Sequence, residues 1–363
     1  MFHVSASSSR KPDGPILAGD ILRGRKVAGF AYAEEPMPPT RYNDRLLFEG
    51  DQELAKVPTV IVPVDAREAD RVGVGPFDRL PPQSRRFADE VSDGLSDRVE
   101  ALLGRPDASW RGMASALFEA LREAQHEVYI AGGAVRDLVA GTGPEVVRDL
   151  DLAGTAPPGR FHDVMYDVLK VLGGSESDMR LSPDTLVCWT APEDPELAET
   201  ALVEYRSLAL SGFRLPGTSS DFADDARHRD LTVNSLYYDR RRAVVVDPTG
   251  RGVDDLTGGT RRIVCCRASR KPRETAVVVI RAIRLVLRWE DEGVSARLDD
   301  LRRWAEELPA GHWEGLPGLL WKSIRDDHRE YLSGAGAARQ LQTARLIGVE
   351  AAALIGKLLG VRS

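Results

Sequence analysis

The apolar run Val128, Tyr129, Ile130 stands between charged stretches and predicts a short buried strand. Gly132-Gly133 predicts a tight turn after it, and residues 134–140 the helix that follows. Downstream, Arg148-Asp149-Leu150-Asp151-Leu152 alternates at period two, which predicts a strand with both aspartates on one face and both leucines on the other. Helical periodicity marks residues 110–125 and 273–290. In the second of these Val277, Val279, Ile280, Ile283, Val286 and Leu287 form the apolar part, while Arg281, Arg284 and Arg288 share one face at i, i+3 and i+7. Beyond it, residues 296–308, 316–333 and 336–359 read as helices, punctuated by Gly311, Pro317 and Gly334. The front of the chain is patterned more weakly. Short strands are expected at 26–32, 45–48 and 59–64, and helical periodicity appears there only over 84–103.

Two of these elements change the picture chemically. Gly132 and Gly133 carry no side chains, so an anionic phosphate can approach the backbone at the start of the following helix, with Arg136 one turn in. Asp149 and Asp151 on one strand face can share divalent ions, and magnesium prefers carboxylate and phosphate oxygens. A lone Asp-x-Asp is usually a solvated strand edge, and a lone Gly-Gly an ordinary turn. Their succession in this order is far more specific, and it points to nucleotidyl transfer.

Composition adds bounds. The chain has 363 residues, enough for two domains of ordinary size, and a net charge of −7, which argues against general electrostatic attraction to nucleic acid. Basic residues nevertheless crowd between Arg261 and Arg288, giving a local positive field. No long apolar run exists, and the first residues lack the apolar core of a signal peptide, so a cytoplasmic protein without membrane insertion is expected. Cys188, Cys265 and Cys266 are too few and wrongly spaced for a zinc site or a disulfide framework. Nothing in the pattern fixes an oligomeric state.

The stretch Tyr129 to Leu152 resembles the head domain of class II tRNA nucleotidyltransferases (CCA-adding enzymes) and bacterial poly(A) polymerases, whose signature is GGxVRD followed by a DxD strand. The resemblance continues in order. Val203-Glu204-Tyr205-Arg206 is similar to the strand bearing a further acidic residue, and RHRDLTVNSLYYD (Arg227 to Asp239) to the RRDFTINA element, with Arg229, Asp230 and Asn234 in matching places. Asp247-Pro248-Thr249-Gly250, Asp254-Asp255-Leu256 and Arg262-Ile263-Val264 follow the family's next elements, and Arg281-Ala282-Ile283-Arg284-Leu285 its arginine helix.

The resemblance implies an α+β fold: a nucleotidyltransferase-superfamily head, a mixed sheet with flanking helices, over residues 106–270. An extra N-terminal domain with a linker helix would occupy 1–105, and a short helical, neck-like region 271–363. It implies Mg²⁺ held by Asp149 and Asp151. The nucleotide would lie against Gly132, Gly133, Arg136, Arg229, Asn234, Arg281 and Arg284. The substrate would be a nucleoside triphosphate, ATP and/or CTP, and the acceptor an RNA 3′ end, that of tRNA. Asp149, Asp151 and Glu204 would form the catalytic set. Residue chemistry leaves Glu204 open between completing the metal cage, accepting the acceptor's proton, and pairing with Arg206 or Arg229. By residue chemistry Asp230 and Asn234 read first as fixers of their loop, through side-chain to backbone bonds.

One departure stands out. The family's Asp and Arg that read the base edge fall on Thr275 and Val278, with only Glu274 retained. Valine has no donor. Together with the short tail, this keeps two alternatives open beside the RNA transferase: a non-catalytic nucleotide- or RNA-binding relative, and transfer to a protein or small molecule.

Overall fold

The structure of the protein, a computed structural model, describes residues 77–361 apart from 109, 111, 157, 173–178, 182–187, 191–202 and 209–220. The strands expected at 26–32, 45–48 and 59–64 lie outside the described residues. The described elements follow in order. Strand β1 (Arg85–Phe87) is followed by helices α1 (Ala88–Val91), α2 (Leu95–Leu103) and α3 (Met113–Glu123), then by β2 (Val128–Ala131), α4 (Gly133–Val139), β3 (Leu150–Gly154) and α5 (Pro158–Val171). Strands β4 (Met179–Leu181), β5 (Cys188–Thr190) and β6 (Val203–Ser207) precede α6 (Phe222–His228), β7 (Tyr237–Asp239), β8 (Val244–Val246), α7 (Gly252–Thr257) and β9 (Arg261–Arg262). The long helix α8 (Pro272–Asp291), β10 (Ala296–Arg297), α9 (Asp299–Glu306), α10 (Gly318–Leu332), α11 (Ala337–Ile347) and α12 (Val349–Leu359) complete the fold.

Eight strands form one mixed sheet in the order β1-β8-β7-β2-β3-β6-β5-β4, in which only β3 and β6 run parallel. Alternation along these strands sorts residues between two faces. Ile130, Leu150, Leu152, Val203 and Tyr205 join a large core that extends through the helices to Ile355. Tyr129, Ala131 and Ala153 face the other way, into a smaller cluster with Phe222 and Tyr237. Asp151 and Glu204, each flanked by residues of the large core, therefore project from the face of that smaller cluster.

Local rules explain most elements and tertiary ones the rest. Residues 84–103 do not form one helix: Arg85–Phe87 pairs antiparallel with β8 as the sheet's edge, and Gly94, at φ 63°, separates α1 from α2. Residues 336–359 divide into α11 and α12 at Gly348. Ala296–Arg297 pairs with β9 instead of opening α9. Helix α8 is held against α10 by Arg273, whose guanidinium bonds Ser323 and pairs with Asp327 at 3.0 Å, all buried.

Candidate active site

Gly132 ends β2 with φ 71° and ψ −132°, a backbone conformation that a side chain would strain. Space demands glycine as well, since a Cβ there would lie 3.0 Å from both Arg229 Nη1 and Asp151 Oδ2. The turn therefore stands directly between a guanidinium and a carboxylate. Its geometry is locked by Gly132 N–H donating to Leu236 O at 3.0 Å.

The parallel register of β3 and β6 sets Asp151 opposite Glu204. Of the two aspartates expected on one strand face only Asp151 lies on β3, because the strand starts at Leu150, and Asp149 lies exposed just before it. Burial, then the Glu204 and Asp149 carboxylates, push the Asp151 carboxyl up to about 7, against the opposing pull of Arg229 and Arg206. Among the described residues no three His, Cys, Asp or Glu side chains converge as a ready-made metal cage. Magnesium does not need one, because it is commonly held by one or two carboxylates with waters and substrate phosphates. A set of neighbouring carboxylates, each raising the cost of ionising Asp151, fits a divalent cation by charge and by ligand chemistry.

Glu204 also lies 3.6 Å from Arg206 Nε, so of the two pairing partners expected it meets Arg206. Arg206 in turn faces Asp225 at 4.0 Å. Arg229 donates from Nε to Asp225 at 2.8 Å and from Nη1 to Asn234 O at 3.3 Å, with the Tyr237 ring 5.0 Å away. Burial alone would raise the Asp225 carboxyl, but Arg229 and Arg206 overcome it and bring the group down to about 2. Asp225 and Tyr237 escaped the sequence reading. The spacing of Asp225 and Arg229, i and i+4, was the available signal.

A second network ties the turn to α8. Arg136 donates to Asn234 Oδ1 at 2.6 Å and to Asp137 Oδ1 at 2.7 Å, and Asn234 Nδ2 donates to Asp230 at 3.0 Å. Both ends of the Asn234 amide are thus engaged in orienting the loop. Asp230 receives Arg281 at 3.1 Å, and Asp137 receives Arg288 at 2.9 Å. Arg281 also donates to the Tyr331 hydroxyl at 2.8 Å, and Arg284 lies 5.1 Å from the Tyr331 ring. Burial and the nearby Arg136 guanidinium lower the pKa of Arg284, placing it in the same positive field. Tyr331, some fifty residues from its arginine partner, offered no sequence signal.

The first turns of α8 are different. Thr275 and Val278 are fully buried, and the Thr275 hydroxyl is shared among Lys271 O, Pro272 O and His312 Nε2 at about 3 Å. Glu274 pairs with Arg267 at 3.1 Å. Cys265 and Cys266 are free thiols that burial pushes up to about 12, so they are inert at neutral pH.

Residues 128–262 match the family model of the poly A polymerase head domain. Poly(A) polymerase I of Salmonella typhi is 28% identical over 166 residues, covering 45% of this chain and 34% of that protein. The CCA-adding enzyme of Geobacillus kaustophilus is 28% identical over 182 residues, covering 46% of this chain and 37% of that protein. The chain thus spans about a third of the length of the curated relatives it matches. A CCA-adding enzyme solved in an apo form shares the fold with a TM-score of 0.50 at 19% identity, over 72% of this chain and 56% of the other. Residues 128–262 therefore match the head domain that poly(A) polymerases and CCA-adding enzymes share, and the chain resembles that family over this part of its length.

Proposed function

We propose that this protein transfers a nucleoside monophosphate from a nucleoside triphosphate to an RNA 3′ end. The single observation that carries the reading is the placement of Asp151 opposite Glu204 in parallel register, beside the Gly132 turn and Arg229. Asp149 and Asp151 are the metal carboxylates. Mg²⁺ bound there would activate the attacking hydroxyl and neutralise charge on the leaving pyrophosphate. The protein's own residues do the rest. Arg136, Arg229, Arg281 and Arg284 hold the triphosphate, and Asn234 orients Arg136 through their hydrogen bond. Glu204 accepts the proton of the acceptor hydroxyl, whose oxygen bonds to the α-phosphorus as the bond to the β-phosphate breaks and pyrophosphate leaves. Positioning and preorganised charge supply most of the acceleration. The acceptor is the 3′ end of tRNA, and the donor is ATP or CTP.

The burial of Thr275 and Val278 favours a second reading, in which the acceptor or the base differs from that of the named relatives. One experiment separates them. The protein is incubated with Mg²⁺, each α-labelled nucleoside triphosphate in turn, and tRNA lacking its terminal CCA, beside an Asp149→Asn/Asp151→Asn control. Label on RNA only with the unsubstituted chain is the expected result. Label on protein or a small molecule moves the acceptor. Triphosphate binding with no labelled product of any kind leaves a binding module.

A further inference from the structure

We propose that Asp225 is a positioning residue that holds Arg229 off Asp151 and competes with Glu204 for Arg206, so that the two site carboxylates keep negative charge for a divalent cation. The inference rests on the two-carboxylate reading above, and it concerns a residue that reading does not use.

The site holds a conflict of charges. Arg206 stands 3.6 Å from Glu204, and Arg229 and Asp151 both press on the space beside Gly132. A guanidinium prefers a bidentate pair with a carboxylate, and a carboxylate so paired presents occupied lone pairs and a neighbouring positive charge to any metal. Left alone, the two arginines would close on the two acids and neutralise them. Asp225 is the competing acceptor behind them. Its side chain is 1% exposed and faces both guanidiniums, accepting from Arg229 Nε at 2.8 Å and lying 4.0 Å from Arg206 Nη1.

Asp225 is itself fixed from behind. The Tyr237 hydroxyl donates to the same oxygen that receives Arg229, and the Tyr237 ring packs edge-on against Phe222 at 4.8 Å. Phe222 meets Tyr129 of β2 at the same distance. This aromatic wall belongs to the smaller core on the site's face of the sheet, so Asp225 is held by packing and not by the arginines alone. A simple internal ion pair would need only one guanidinium. Here one carboxylate serves two, each of which has an acid of the site as its alternative partner.

The test is Mn²⁺ binding by the full chain, followed as loss of the free-ion electron paramagnetic resonance signal. Asp225→Asn keeps the shape and removes the charge, and is expected to weaken Mn²⁺ binding about 10-fold or more. Adding Arg206→Gln to that variant is expected to recover most of the loss, because one released guanidinium is gone. Unchanged affinity in Asp225→Asn overturns the proposal, and so does a loss that Arg206→Gln fails to recover, which would make Asp225 a packing residue only. Should Asp225→Asn not fold, Arg206→Gln in the otherwise intact chain decides. It is expected to tighten Mn²⁺ binding about 3-fold, and equal or weaker binding overturns the proposal. An unsubstituted chain that binds no Mn²⁺ defeats the two-carboxylate reading itself, a result distinct from every variant comparison.

Discussion

The two ends of helix α8 meet the rest of the molecule in opposite ways. From Arg281 to Arg288 its polar side chains reach outward: Arg281 to Asp230 and Tyr331, Arg288 to Asp137, and Arg284 over the Tyr331 ring. At Thr275 and Val278 nothing polar reaches outward, for both are fully buried and the threonine hydroxyl is consumed by helix carbonyls and His312. The first end spends its chemistry on arginines that a phosphate can use. Thr275 and Val278 are spent on packing, where a buried valine contributes about 1.5–3 kcal/mol. Under the proposed function, triphosphate binding and base reading would be separable along one helix.

The largest effect should come from the polar side of this contrast. Replacing Asp149 and Asp151 by asparagine is expected to reduce single-turnover label transfer about 1,000-fold or more, since the proposed metal ligands go while the shape remains. Residual transfer within tenfold of the unsubstituted chain would place the metal elsewhere. The sealed end is broken by Val278→Arg. If the site is core, forcing a guanidinium into it is expected to cost about 3 kcal/mol or more, read from the denaturation midpoint, with no gain in base preference. A stable variant that selects ATP or CTP would mean that position 278 faces the base after all.

What was legible in the chain follows the range over which each feature is determined. Val128–Ala131, Gly132 and the strand of Asp151 show themselves because alternation and a glycine pair are written within a few residues, although that strand runs over Leu150–Gly154 and not over 148–152. Helix α8 shows itself by a 3.6-residue period sustained over its length. The edge strand Arg85–Phe87 does not, because three residues carry no period and its pairing is imposed by β8, far along the chain. The same holds in the site. Its acids and arginines stand in recognisable local motifs, whereas Tyr331 and His312 gain their roles only when distant segments pack on α8. That Val278 has no donor, and that Thr275 offers only a hydroxyl, could be read from residue type alone. That they are sealed could not, since the cover comes from residues after the helix.

Gly132→Ala sharpens the polar side at smaller cost. A side chain at φ 71° strains the backbone, and its Cβ would press on Arg229 and Asp151 at 3.0 Å. The expected loss is about 2 kcal/mol of stability, accompanied by weaker triphosphate and Mn²⁺ binding in the folded fraction. Stability lost without any change in binding would detach the turn from the site.

The smallest effect tests the cover of the sealed end through pH. Burial lowers the pKa of His312 below its ordinary value, with Glu350 pulling weakly the other way. The unfolded chain, where this histidine titrates near 6.5, therefore takes up its proton before the folded chain does. Wherever the unfolded state binds more protons, stability rises with pH. The contribution of His312 is thus fully present above about pH 6.5 and is lost as pH falls through the window down to the lower folded value. His312→Gln keeps a hydrogen-bonding group facing Thr275 but cannot titrate. The difference in melting temperature between pH 7.5 and pH 5.5 is expected to be smaller in that variant than in the unsubstituted chain. Equal differences would mean that His312 is protonated as easily in the fold as outside it, and that the loop covering Thr275 opens to water at the end of the helix held here to be closed.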